Sequence, residues 1–471
     1  MLFGTNGIRG IVGRELTANF CMELSQAFGS LYRKGKKEIV IGSDARLSSE
    51  MLRKACVAGL LSVGCNVVDL GYAPTPAIQH YIKTTSAAGG LIVTASHNPP
   101  QFNGIKTLGD SGIEIAKDEE SKVERLYRSI SGKLSLFLPP PNAIKLADWN
   151  NIGRFSRADP LEGYIEGIKK KVDRKLIKSK NLKIVADCAN GVGALTTPQL
   201  LRELGCEVVT LNGNLDGAFP GRDPEPIRDN IQDLVSFMKV NDFDLGIAHD
   251  GDADRAIFVT GKGEFVEGDY SLALLAREAL RGAEKRKQVI PTGVNTSSVL
   301  QDVAKEYGGE VKMMRVGPMS IARAMMEHGS PIGGEGNGGI IFPDFQYCRD
   351  GGMASARMVE IIARNGPISE ILKELPKYHM SKRKIACPDK LKGYVVEKSK
   401  KHFAEKGVEY VTIDGVKAYL DDGWVLIRPS GTEPIVRVEG ESKDEGMVEK
   451  TTSSYIEKMG NWIAEAKDDK G

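Results

Sequence analysis

The chain has 471 residues, which at roughly 100–200 residues per domain is enough for three or four domains. Its 41% hydrophobic and 27% charged residues are an ordinary globular balance, and a formal charge of +2 (64 Lys plus Arg against 62 Asp plus Glu) gives no case for a nucleic acid or a membrane as partner. No run of about 18 apolar residues offers a membrane span; the seven cysteines form no CxxC pair and the start, MLFGTNGIRG, lacks the apolar stretch of a signal peptide, so reduced thiols and a cytoplasmic location are expected.

Along the chain, one pattern recurs three times. A short apolar strand and polar turn (KEIVIGSDARLSS, LKIVADCANGVGA, QVIPTGVNTSS) lead into a helix-like stretch. A second strand follows, opened by glycine: GCNVVDLG from Gly64, GCEVVTLNG from Gly205 and GGEVKMMRVG from Gly308. Strand, helix, glycine, strand builds a parallel βαβ unit, and three of them more than one hundred residues apart predict three related α/β domains. Boundaries are expected at the proline run 138–141, just after the acidic turn 250–254, and near Gly366-Pro367. Beyond the last, a helix over Leu391–Lys406, four strands without crossover helices (EYVTID, VKAYLD, WVLIRP, PIVRVEGE) and a final helix predict a smaller antiparallel α+β domain.

Four loops carry the chemistry. The first is TASHNPPQFNGIK, Thr94 to Lys106, leaving the strand GLIVT at the kind of strand end where α/β folds hold ligands. Its prolines and Asn103-Gly104 hold the loop so that it presents Ser96 and His97. A serine hydroxyl is a weak nucleophile unless a base, a metal or an attached leaving group assists it, and the absence of a G-x-S-x-G elbow argues against an acyl-transfer hydrolase.

The second loop, HDGDADR (His249 to Arg255), follows the strand FDLGIA. Asp250, Asp252 and Asp254 alternate in an extended turn and can converge on one point, where they repel unless a hard divalent cation sits between them. An EF-hand is excluded, because Arg255 stands in place of its turn glycine and Gly261 in place of its last glutamate. The third, GEGNGG (Gly334 to Gly339), fits GxGxxG in letters only. A strand-like IIFPDF follows it instead of a helix, which leaves a glycine-rich loop offering Glu335 and Asn337 to sugar hydroxyls. In the fourth, RPSGTEP, Arg428, the Ser430 and Thr432 hydroxyls and the Gly431 and Thr432 N–H groups can wrap a phosphate.

With these four loops in this order, the chain resembles the α-D-phosphohexomutase superfamily of phosphoglucomutases, phosphomannomutases and phosphoglucosamine mutases. The resemblance spans essentially the whole sequence. It implies three related α/β domains and a smaller C-terminal α+β domain around a central cleft, divided here as 1–145, 146–254, 255–370 and 371–471. It also implies a phosphate carried on Ser96 and a Mg²⁺ bound by Asp250, Asp252, Asp254 and the Ser96 phosphate. Arg9, Lys106 and Arg255 become active-site basic residues. Glu335 and Asn337 become sugar contacts, and Arg428, Ser430, Gly431 and Thr432 the grip on the non-reacting phosphate.

The implied reaction interconverts hexose 6-phosphate and hexose 1-phosphate, with a sugar 1,6-bisphosphate as intermediate and activator. Lys106 is the expected general acid/base, its pKa lowered by Arg9, and His97 is the competing residue. Two loops depart from the family's pattern: Asn337 and Gly339 stand where Ser and His are common, and the Gly317-Pro318 step lacks the polar residue that many relatives carry after that glycine. FGTNGIRG and RPSGTEP favour a phosphoglucosamine mutase, with a broad phosphomannomutase/phosphoglucomutase as the alternative. A metal-dependent sugar phosphatase using an aspartyl nucleophile, and a non-catalytic sugar-phosphate binder, are the more distant readings.

Overall fold

The computed structural model describes residues 2–4, 6–32, 38–131, 144–282, 288–431 and 433–468. The proline run at 138–141 and Thr432 lie outside them. Packing divides the chain into two compact units, Met1–Ser271 with Asn337–Ile371, and Leu272–Gly336 with Leu372–Gly471.

The first unit holds two sheets. One is made of β1 (Ile8–Ile11), β2 (Glu38–Ser43), β3 (Asn66–Tyr72), β4 (Gly89–Val93), β5 (Phe102–Gly109) and β6 (Phe155–Arg157), in the order β1-β5-β4-β2-β3-β6. The other is made of β7 (Lys183–Asp187), β8 (Glu207–Leu211), β9 (Leu245–His249), β10 (Ala256–Thr260) and β11 (Phe265–Val266), in the order β11-β10-β9-β7-β8. Within them β3-β2-β4-β5 and β8-β7-β9-β10 share one topology: three parallel strands, then an antiparallel one. The second unit repeats the parallel part, β12 (Val289–Gly293) pairing with β13 (Glu310–Met314) and β14 (Gly333–Gly334). The hairpin of β15 (Ile340–Phe342) and β16 (Gln346–Arg349) belongs to the first unit.

The apolar runs read as central strands because both their faces are covered. Along β2 and β4, Ile39, Ile41, Leu91 and Val93 join one core with the helices Ala18–Tyr32 and Ser49–Ser62. Val40 and Ile92 join the opposite core with the helix Thr75–Thr84. The alternation is the period of two that a strand imposes. Each such side chain, fully withdrawn from water, contributes about 1.5–3 kcal/mol.

The three glycines that open the second strands have one cause. Gly64, Gly205 and Gly308 lie at φ 85°, 97° and 71°, just past a helix end. The next residue's N–H reaches back to the fifth residue before it in each case, Cys65 to Leu60, Cys206 to Leu201 and Gly309 to Ala304. That closure needs a left-handed residue, which glycine supplies without a Cβ clash.

Two expected boundaries move. A cut at 254/255 would split β9 from β10, which pair across the acidic turn, and that sheet runs on to Val266. The first sheet also recruits β6 from beyond residue 145; FSR is a short, wholly exposed edge strand, so no hydrophobic pattern announces it. In the second unit the C-terminal sheet has the order β17-β21-β20-β19-β18, from β17 (His379–Ala386), β18 (Tyr410–Val411), β19 (Val416–Leu420), β20 (Gly423–Pro429) and β21 (Ile435–Ser442). The sequence reading lacks β17, a mostly exposed edge strand rich in Lys and Arg. All seven cysteines are buried and none is in a disulfide. Among the described residues no helix is long and apolar enough to cross a membrane.

The first unit contains a titratable core contact. His80 stacks on Phe345 with centroids 4.7 Å apart, and its buried Nδ1 has no hydrogen-bond partner. Burial, helped by Lys83, holds its pKa down to about 4. The unfolded chain therefore binds the extra proton first, and the stability that neutral His80 contributes is lost as pH falls from about 6.5 toward 4. Thermal melts should show Tm falling between pH 7.5 and 5, and His80→Phe should reduce that fall by a few degrees. An identical fall in the variant would refute the assignment.

Candidate active site

Ser96 sits at the end of β4 with φ 52°, a left-handed conformation uncommon for a residue with a side chain. What holds it there is Arg46, a side chain with no solvent exposure that follows β2. Its Nη1 donates to the carbonyls of Pro99 (2.7 Å) and Phe102 (3.0 Å), and its Nη2 to those of Ser96 (2.9 Å) and Asn98 (2.5 Å). Asp44 anchors the guanidinium through Nε at 3.0 Å and also accepts from Thr94 Oγ1 at 2.7 Å. Thr94 Oγ1 in turn takes the Ser96 N–H at 2.8 Å. One buried ion pair thus fixes the whole turn. Nothing in the sequence around Ser96 announced it, since the partners lie some fifty residues apart.

The acidic turn between β9 and β10 is braced as thoroughly. His249 is tied through Nδ1 to the Arg255 carbonyl (2.7 Å) and through Nε2 to Thr197 Oγ1 (2.8 Å), while its own carbonyl accepts from Arg222 Nη2 (2.6 Å). Arg222 is itself paired with Asp187 at 2.7 Å. Thr75 donates twice to Asp252, from N to its carbonyl (3.0 Å) and from Oγ1 to Oδ2 (2.7 Å). Ala253 completes the turn at φ 55°.

These two braced loops meet. Ser96 Oγ donates to Asp250 Oδ2 at 2.7 Å. Asp250, Asp252 and Asp254 are all buried, and each offers an oxygen within 4.8 Å of the others. Burial, then the charges of Asp254 and Asp252, push the Asp250 carboxyl well above its ordinary range. Burial works the same way on Asp252 and Asp254, but Lys106 and Arg349 outweigh it and hold both low. Asp252 Oδ1 and Asp254 Oδ1 are buried and accept no hydrogen bond. Three crowded carboxylates with two orphaned oxygens and no nitrogen or sulfur ligand suit a hard divalent cation, and the site can bind a metal.

The basic residues lie around this centre. Lys106 Nζ donates to Asp252 Oδ2 (2.9 Å) and Asp254 Oδ2 (3.2 Å). Burial works to lower its pKa, yet the two carboxylates overcome it and hold the ammonium above its ordinary value. The expected lowering by Arg9 is therefore absent: the guanidinium that repels Lys106 belongs to Arg349, which the sequence reading did not single out. Arg9, on β1, donates instead to Asn98 Oδ1, within the serine loop.

Arg255 Nη2 lies 2.9 Å from His97 Nδ1, and its Nε stands 3.8 Å from Asp250 and 3.9 Å from Asp254. His97 Nδ1 is also 3.4 Å from Ser96 Oγ. Burial and the cations Arg255, Arg9 and Arg349 hold His97 well below its ordinary pKa, so it is neutral with Nδ1 taken by Arg255. Glu225, also absent from the sequence reading, stands 3.9 Å from Arg255 and 4.0 Å from His97.

The remaining predicted residues occupy other loops. Asn337, in the first unit, accepts the Gly339 N–H at 3.0 Å, so its carbonyl shapes the turn. In the second unit Glu335 is buried and accepts the Gly317 N–H at 2.9 Å. That contact ties Glu335 to the residue that precedes the helix Pro318–His328. Asp414 Oδ2 accepts the neighbouring Val316 N–H at 3.3 Å and stands 3.7 Å from Arg428, whose other amino group lies 4.0 Å from Glu439. Arg428 Nε is buried without a hydrogen bond. Ser430 and Gly431 begin the turn from β20 to β21. Ser430 Oγ accepts the Glu433 N–H at 3.1 Å, and Lys392 clamps the turn through the Ser430 and Glu433 carbonyls at 2.5 and 2.6 Å.

Comparison with known proteins places this geometry in a family. Four domain models match in order: phosphoglucomutase/phosphomannomutase alpha/beta/alpha domain I over residues 1–133, domain II over 162–263, domain III over 267–378 and the C-terminal domain over 384–454. A phosphoglucomutase/phosphomannomutase of Thermococcus kodakarensis is 44% identical over 94% of this chain and 95% of its own. A probable phosphoglucosamine mutase of Methanopyrus kandleri is 39% identical over 99% of both. The crystal structure of a phosphoglucomutase/phosphomannomutase family protein from Burkholderia thailandensis superposes with a TM-score of 0.85 at 29% identity, over 99% of this chain and 97% of that one. Matched from end to end by all four domains, the chain belongs to the phosphoglucomutase/phosphomannomutase family, the phosphohexomutases.

Proposed function

We propose that the protein interconverts hexose 6-phosphates and hexose 1-phosphates through a phosphate carried on Ser96. The observation that carries this reading is the 2.7 Å contact between Ser96 Oγ and Asp250 in a three-carboxylate centre ringed by Arg9, Lys106, Arg255 and Arg349. In the forward half-reaction the phosphoryl group leaves Ser96 Oγ for a sugar hydroxyl, and the hydroxyl proton passes to a nearby base. The 1,6-bisphosphate then presents its other phosphate, the Ser96 oxygen takes that phosphoryl group, and the proton returns to the product hydroxyl. Phosphoryl transfer needs alignment and charge neutralisation above all.

Asp250, Asp252 and Asp254 would hold Mg²⁺, which when bound supplies Lewis-acid polarisation of phosphate oxygens. The left-handed Ser96 backbone, pinned by Arg46, aims Oγ at that centre before substrate arrives. Of the two expected acid/base residues we favour Lys106, which Asp252 and Asp254 hold as an ammonium ready to donate, because Arg255 already occupies the His97 nitrogen that faces Ser96. Arg428, Ser430, Gly431 and Thr432 would grip the non-reacting phosphate, with Glu335 and Asn337 on the sugar.

For the sugar we favour an aminohexose phosphate such as glucosamine phosphate, with glucose and mannose phosphates as the broader alternative. Glu335 and Asp414 contact adjacent residues, Gly317 and Val316, and Glu439 stands beside Arg428, an anionic setting that suits an ammonium at C2. A sugar 1,6-bisphosphate would prime Ser96, and no nucleic acid or membrane partner is invoked.

Incubation with a hexose 1,6-bisphosphate should place a phosphate within the 94–106 peptide by mass spectrometry, and Ser96→Ala should abolish both label and turnover. Label elsewhere, or steady release of inorganic phosphate in place of isomerisation, would mean a different enzyme.

Chelation by EDTA should abolish activity and Mg²⁺ should restore it. Asp252→Asn, which keeps shape but removes a charge, should cut kcat by about a hundredfold or more with the fold intact. Full activity in the metal-free protein would leave the acidic turn without its assigned role.

Arg428→Ala removes a charge-assisted contact of about 1.5–3 kcal/mol, so kcat/KM should fall roughly 10- to 100-fold for both the 1- and the 6-phosphate. Measured beside glucosamine, glucose and mannose phosphates, the loss should be similar for each sugar, while the wild type prefers glucosamine phosphate. A loss confined to one regioisomer would show that Arg428 does not grip the non-reacting phosphate.

A further inference from the structure

Each carboxylate of the acidic turn has at least one oxygen bound by the protein. Asp250 Oδ1 accepts the Arg255 N–H at 3.1 Å. Asp252 Oδ2 accepts from Thr75 Oγ1 and Lys106 Nζ, and Asp254 Oδ2 from Lys106 Nζ at 3.2 Å and Arg349 Nη2 at 2.5 Å. The oxygens left over, Asp252 Oδ1 and Asp254 Oδ1, are the buried ones without hydrogen bonds, and Asp250 Oδ2 faces Ser96.

Arg349, like Thr75, is a residue of this arrangement that no motif contains. It ends β16, is 5% exposed, and joins Asp254 across 95 residues of sequence. Its approach depends on Gly339. A Cβ at that position would lie 2.3 Å from Arg349 Cδ and 3.2 Å from its Cγ, well inside contact distance. Asn337 secures the same turn by accepting the Gly339 N–H. In the orientation that satisfies its neighbours, the Asn6 carboxamide also accepts from Arg349 Nη2, at 3.2 Å. A buried guanidinium close to Lys106 and Arg9 is a poor choice for stability alone, because like charges there repel and each loses hydration.

We propose that Arg349, admitted by Gly339, is the positioning residue that restricts Asp254 to one-oxygen ligation and so makes the centre selective for a small octahedral cation over Ca²⁺. The inference rests on the reading that Asp250, Asp252 and Asp254 hold a divalent cation. Ca²⁺ accepts six to eight oxygens and readily takes both oxygens of a carboxylate, whereas Mg²⁺ requires six at short, near-octahedral positions, one from each ligand. With Oδ2 of Asp254 tied to Arg349 and Lys106, and Oδ2 of Asp252 to Lys106 and Thr75, the two-oxygen mode is closed. Partners that orient a ligand in this way commonly change metal affinity when removed.

The test is calorimetric titration of the full-length protein with Mg²⁺ and, separately, Ca²⁺, checked by displacement of Mn²⁺ followed by EPR. Arg349→Met keeps the stem and removes the guanidinium. The loss of one positive charge tightens both divalent ions alike, so the ratio of their affinities isolates ligation geometry. That ratio should move about tenfold toward Ca²⁺. Arg349→Lys should retain most of the wild-type preference. Gly339→Ala, which displaces the guanidinium without removing it, should move the ratio in the same direction as Arg349→Met.

KM for the sugar phosphate should change little in the two Arg349 variants. A ratio within twofold of wild type in folded Arg349→Met overturns the proposal. Should that variant fail to fold, the same result in Gly339→Ala overturns it. If the wild type binds neither ion, or Asp252→Asn leaves its isotherm unchanged, the metal-site reading itself fails, and with it this inference.

Discussion

The centre of this protein is built on repulsion. Three buried carboxylates present oxygens within 4.8 Å of one another, and a hydroxyl leans on one of them. In water such charges would separate. In a low-dielectric interior they cannot, and one carboxyl responds by rising far above its usual range. Every neighbouring feature follows from holding these groups against their own field. Lys106 and Arg349 bring positive charge to Asp252 and Asp254, Thr75 donates to the same centre, and Arg255 stands off Asp250 and Asp254. The turn itself is tied at both ends by His249 and Arg222.

The serine loop obeys a complementary constraint. Its task is to keep one hydroxyl aimed at that centre while the backbone sits in a conformation most residues avoid. Local turn residues cannot secure this alone, and the structure uses a fully buried guanidinium that gathers four carbonyls of the loop. Such a guanidinium would be ruinous unpaired, and Asp44 pairs it while also taking the Thr94 hydroxyl. Removing either partner would strand a buried charge, so the loop and its ion pair stand or fall together.

How much of this was legible beforehand depends on the range of the interaction. The strands β2, β4, β7, β9 and β12 announce themselves as apolar runs because both faces are covered, and the glycines at 64, 205 and 308 mark helix ends by their conformation. Ser96 and the three aspartates stand out because polar residues crowd a strand end. Arg46, Thr75, Arg222, Glu225 and Arg349 did not stand out, since each acts across tens to nearly two hundred residues and a lone Arg or Thr has no period or spacing to betray it. The edge strands β6 and β17 were missed for the opposite reason: they are short or exposed, and carry no apolar alternation. The expected effect of Arg9 on Lys106 erred in the same way. A like-charge neighbour was foreseen, but which guanidinium supplies it is decided by the return of β16, not by proximity in sequence.

The repeated topology explains why the functional loops occur where they do. In the first sheet β4 runs parallel to β2 and the chain then turns back as β5; the turn carries Ser96. In the second, β9 runs parallel to β7 and turns back as β10; that turn carries Asp250, Asp252 and Asp254. In the third, β14 runs parallel to β12, and the residue that follows it is Glu335. One structural position, the end of a parallel strand, has been followed by a hydroxyl, a carboxylate cluster and a buried glutamate in turn. The scaffold asks only that apolar strands be covered and helix ends be closed. The chemistry is then set by which side chains the rest of the fold can afford to bury at that one place, and here the long-range arginines make the burial possible.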